Sequence, residues 1–67
     1  MAFDASAPDL AAETDEVIRS FMMTPTPFRL WAMAAEMERR LRLYPGGAIQ
    51  VGRIVRELRR RALALHA

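Results

Sequence analysis

One stretch limits the fold more than any other: Thr26 to Leu43, TPFRLWAMAAEMERRLRL. It opens with a capping threonine and a proline suited to the first helical position, and it then runs free of helix breakers. At roughly 100° per residue, Leu30, Met33, Ala34, Met37, Leu41 and Tyr44 fall on one side. Phe28, Trp31, Ala32 and Ala35 fall on nearly the opposite side, where Arg39 and Arg42 take over after two turns. A helix apolar on two flanks is either central to a core or in contact with a partner.

The flanking segments read as two more helices. Ser6-Ala-Pro-Asp9 predicts a helix start, with Ser6 as cap, Pro8 in the first turn and Asp9 as the acidic member of a capping box. The helix that follows presents Leu10, Thr14, Val17, Ile18 and Phe21 on one face, with Asp15, Glu16 and Arg19 on the other. Thr24-Pro-Thr-Pro27 stops it, because residues before proline avoid the α region. A linker so short and stiff makes the first two helices neighbours, antiparallel or steeply crossed. Tyr44-Pro-Gly-Gly47 ends the second helix; Pro45-Gly46 suits the centre of a type II turn. The third helix carries Val51, Val55, Leu58, Ala62 and Leu65 at near-heptad spacing. Gly52 weakens it by about 1 kcal/mol unless close packing compensates. GAIQVG, residues 47–52, could alternatively begin as extended chain. The spacing thus predicts an all-α domain, a three-helix bundle over residues 1–67. Its helices span about 7–22, 27–43 and 48–65, residues 1–5 are loose, and the first helix packs on Phe28 and Trp31.

Within-helix ion pairs are expected between Asp15 and Arg19, Glu36 and Arg40, and Glu38 and Arg42, all at i,i+4. Sixty-seven residues form a small core that usually needs reinforcement. No cysteine is present to supply disulfides, and one histidine, His66, is too few for a structural zinc. His66 is expected at a solvated helix end. The hydrophobic share of 52% then favours oligomerisation. No segment reaches the length of a membrane span, and the acidic N-terminus does not resemble a secretory signal; both, with the absence of cysteine, suit the cytoplasm.

Charge is divided unevenly. Residues 1–27 hold five acids and one arginine, a net −4; residues 28–67 hold nine arginines and three acids, a net +6. Every cation is arginine, the residue best suited to bidentate carboxylate or phosphate contacts. Residues 53–65, RIVRELRRRALAL, form a basic amphipathic helix.

These features exclude some functions and suggest others. No nucleophile–base–orienter set, phosphate loop or cofactor motif is present, so no catalytic residue, metal or cofactor is assigned and the protein is expected not to be an enzyme. The expected function is that of an interaction module, an accessory or adaptor subunit that forms a homodimer or higher oligomer. Phe21, Phe28, Trp31 and Met37 would form the contact. The basic face of helix 3 (Arg53, Arg56, Arg59, Arg60 and Arg61) would hold an acidic partner surface. The alternative is a small DNA- or RNA-binding regulator using the same five arginines, through backbone contacts more than base readout.

Overall fold

The computed structural model describes residues 9–66. Three helices follow in order: α1 (Leu10–Phe21), α2 (Pro27–Leu43) and α3 (Ala48–His66). The fold is all-α, and among the described residues there is no strand. The extended alternative for residues 47–52 gives way to helix from Ala48 onward.

Helix α1 begins later than expected. Asp9 has extended backbone, φ −81° and ψ 106°, and its Oδ1 accepts the Ala11 N–H at 3.0 Å. Asp9 is therefore the N-cap itself rather than an acid inside the first turn, and a helix does not run through it. An aspartate caps as well as a serine does, which makes the two starts hard to separate by residue type. The Ser6 cap, Pro8 and the His66 side chain lie outside the described residues. At the other end Met22 adopts a left-handed conformation, φ 56°, and returns its N–H to the Arg19 carbonyl at 3.0 Å.

Helix α2 starts as expected. The Thr26 hydroxyl accepts the Arg29 N–H at 3.3 Å and Pro27 occupies the first turn. In the turn to α3, the left-handed residue is Gly47, φ 82°, rather than Gly46. The Gly47 carbonyl accepts the Val51 N–H at 3.0 Å, so this glycine both reverses the chain and opens the α3 ladder.

Helices α2 and α3 form a hairpin, and the core lies mainly between them. Leu30, Met33 and Ala34 of α2 meet Ile54, Val55, Leu58 and Ala62 of α3, all buried. Helix α1 lies across this hairpin. Glu13 accepts a hydrogen bond from Gln50 near the start of α3, while Ala11 and Asp15 accept bonds from Arg61 near its end. Two α1 residues one position apart on either side of Thr14 reach α3 residues eleven apart, which a helix running alongside α3 could not do. The underside of α1 supplies Leu10, Val17, Ile18 and Phe21 to the core rim. Thr14 is fully buried beneath it, its hydroxyl donating to the Leu10 carbonyl at 2.7 Å. A buried hydroxyl so paired carries no desolvation penalty of an orphaned group.

Two expected core positions are not core. Leu65 and Tyr44 are both exposed, each at the edge of an open cleft.

Candidate interaction surface

Helix α1 covers only one flank of α2. Phe21 reaches α2 beneath Arg40, whose guanidinium lies 5.4 Å from the ring centroid. Trp31 and Glu38 project about half a turn away from Arg40 and so face away from α1. The expectation that α1 packs on Phe28 and Trp31 is therefore overturned: Phe28 is 80% exposed and Trp31 42% exposed. The physical reason is the crossing of the helices. A transverse α1 contacts α2 over a short length and is anchored chiefly on α3, so it cannot wrap to the far side of α2.

The outer stripe of α2 is thus Phe28, Trp31, Ala32 and Ala35, all exposed. Among the described residues, Arg59 from α3 reaches over it. That guanidinium stands 5.5 Å from the Trp31 ring centroid, and its Nη2 donates to Glu38 Oε1. Sequence spacing places Arg59 on an outward basic face and pairs Glu38 with Arg42; in the structure Arg59 and Glu38 instead tie α3 to α2.

The four aromatic and methionine residues expected to form one contact do not share a surface. Phe21 and Met37 are half-buried against the core on the α1 side, while Phe28 and Trp31 face outward on the other. Helical spacing had already placed Met37 with the core stripe; Phe21 belongs to a separate helix whose crossing decides where it lands.

The five arginines of α3 separate in the same way. Arg61 turns inward: Nε donates to Glu57 at 3.0 Å, Nη1 to Asp15 at 2.6 Å and Nη2 to the Ala11 carbonyl at 3.2 Å. Arg60 forks onto Glu57 at 2.8 and 2.7 Å. Arg53 and Arg56 have no carboxylate within ion-pair distance among the described residues, and neither does Arg42. The uniform basic face is therefore divided between internal ties and a smaller outward group.

The ties act on the acids that accept them. Hydrogen bonds from Arg60, joined by Arg61, hold the Glu57 carboxyl down at about 2 against the opposing effect of its burial. Arg39 and then Arg40 hold Glu36 at about 2. The Glu36–Arg40 pair is as expected, 2.9 Å, whereas Arg19 turns to Glu16 at 3.0 Å and leaves Asp15 to Arg61.

Two shallow clefts flank the core. One, about 280 Å³, lies between Ile18, Pro25, Leu30, Arg61 and Leu65. The other, about 240 Å³, lies near the hairpin turn between Met37, Leu41, Tyr44 and Val51. Among the described residues no group of three or more His, Cys, Asp or Glu side chains is placed to hold a metal ion, and no helix is long and apolar enough to cross a membrane. No family model, no curated protein and no solved structure matches the chain.

Proposed function

We propose that the protein is a non-enzymatic association module whose primary partner is a second copy of itself, joined through the outer stripe of α2. The observation that carries this reading is that Phe28, Ala32 and Ala35 stand exposed beside a Trp31 that α1 does not reach and that Arg59 of α3 covers only in part.

The stripe is self-complementary in an antiparallel arrangement. Pairing α2 with its symmetry mate about a point between Trp31 and Ala32 sets Phe28 opposite Ala35 and Trp31 opposite Ala32. Each large side chain then meets a small one, as an isologous interface requires. Arg39 and Arg42 fall beyond the start of the mate's α2 at Pro27 rather than opposite each other, so the register sets no two arginines of α2 face to face. The contact is only about two helical turns long, which places it at the small end of interfaces and implies a dissociation constant in roughly the micromolar range.

Sedimentation velocity across a concentration series is the test. A shift from monomer to dimer is expected. Ala32→Arg, at an exposed site where the monomer has nothing to lose, should abolish it while the circular dichroism stays helical. A chain that remains monomeric at the highest concentration sinks the reading, as does an Ala32→Arg variant that still dimerises.

A further inference from the structure

The turn end of the α2–α3 hairpin combines a concentration of arginines with exposed apolar side chains. Residues 39–56 contain five arginines and no aspartate or glutamate. Within this span Leu43, Tyr44 and Ile49 stand exposed, Ile49 at 85%. Leu43 ends α2 one turn beyond Arg39 and Arg40. Ile49 opens α3 one and two turns before Arg53 and Arg56, on the same helical face. The apolar residues thus form the apex, and the guanidinium groups a collar set back from it. Arg42, Arg53 and Arg56 in that collar lack carboxylate partners among the described residues.

We propose that this apex docks on an anionic lipid bilayer surface. A bilayer interface accommodates both halves of the arrangement at once. Leu43 and Ile49 enter the boundary between headgroups and acyl chains, Tyr44 sits at headgroup depth as an amphipathic ring does, and the arginine collar meets lipid phosphates. Nucleic acid would use the arginines and Tyr44 but leaves two exposed aliphatic side chains without a role, since they neither stack on bases nor pair with phosphate. The apex lies about 22 Å along α2 from Phe28, so bilayer docking and self-association use separate surfaces and neither depends on the other.

Co-sedimentation with phosphatidylcholine vesicles, with and without phosphatidylserine, tests the assignment. Binding is expected only to the serine-containing vesicles and is expected to fall as salt rises. Arg53→Ala with Arg56→Ala should weaken it about thirty-fold. Leu43→Ser with Ile49→Ser should weaken it about ten-fold or more while leaving every arginine in place. All four sites lie at the surface or its edge, and an unchanged Trp31 emission spectrum verifies that each variant is folded. The proposal is overturned by absent binding, by equal binding to both vesicle types, or by a Leu43→Ser, Ile49→Ser variant that binds as the parent does. Tight binding to duplex DNA that survives the same double change, without vesicle binding, gives the apex to nucleic acid instead.

Discussion

The Arg59 guanidinium covers the Trp31 indole at 5.5 Å from its centroid while donating to Glu38, so one side chain of α3 grips two residues of α2 on the flank that α1 leaves open. The contact has a cost as well as a gain, because Arg59 Nε is buried without a hydrogen-bond partner. Cation–π contact and a half-exposed ion pair each contribute about 0.5–1 kcal/mol, and an orphaned buried donor subtracts a similar amount or more. The remaining contribution is the packing of the aliphatic stem on the indole.

Substituting Arg59 separates these effects. Arg59→Ala should destabilise the fold by about 1 kcal/mol and shift Trp31 emission to the red, because the ring loses its cover. Arg59→Met keeps a stem over the ring and removes the orphaned donor, so it should fall within about 0.5 kcal/mol of the parent. Urea titration at concentrations too low for self-association measures both. Equal losses in the two variants would show that charge, not packing, holds this flank.

The Arg61 site should be less tolerant. Its side chain is only 22% exposed and joins α3 to Asp15 and to the Ala11 carbonyl of α1. Arg61→Leu leaves both acceptors without their partner and should cost about 2 kcal/mol. The loss should concentrate on α1, whose amide protons should exchange faster while those of α2 and α3 change less. Uniform acceleration across all three helices would mean that α1 docking is not a separable unit.

These two arginines also show where the sequence was readable and where it was not. The cap at Thr26, the break at Thr24-Pro-Thr-Pro27 and the stripe from Leu30 to Met37 follow from local chemistry, and the structure has them in place. The number and order of helices were legible for the same reason. The crossing of α1 was not, because its apolar face is compatible with lying along α2 or across it. That one angle decides that α1 leaves Phe28 and Trp31 alone, that Phe21 faces Arg40, and that Asp15 answers Arg61 rather than Arg19. Interhelical pairs such as Glu38–Arg59 are invisible to i,i+4 arithmetic, which sees only one helix at a time.

Acid should weaken the fold through Glu57. Its carboxyl titrates at about 2 in the folded chain against an ordinary value of 4.5, a depressed folded-state value. The stabilisation is therefore complete above pH 4.5 and is lost as pH falls from there toward 2. Melting temperature should decline across that window, and Glu57→Gln should flatten the decline while lowering stability at neutral pH. Glu36 titrates in the same range, but its side chain is 30% exposed against 11% for Glu57, so solvent screens the pair more and Glu36→Gln should alter the acid limb less. An acid limb unchanged by Glu57→Gln would place the sensitivity elsewhere.

Two exchanges involving glycine should both stabilise the protein, for opposite reasons. Met22 holds a left-handed backbone that costs a side-chain-bearing residue about 1 kcal/mol, and it is almost wholly exposed, so its side chain offers the monomer little in return. Met22→Gly removes that strain but gives the unfolded chain more freedom, leaving a net gain of roughly 0.5 kcal/mol. Gly52 presents the reverse case. It sits inside α3 with ordinary helical backbone, and a Cβ there would meet nothing nearer than the Arg56 Nη1 at 3.9 Å. No close approach of another helix requires a glycine, so Gly52→Ala should raise stability by about 1 kcal/mol. Chemical denaturation of each single variant and of the pair reads the result. The sites share no contact, so the gains should add; a Gly52→Ala variant that is less stable than the parent would mean that a neighbouring chain, not this one, occupies the space beside it.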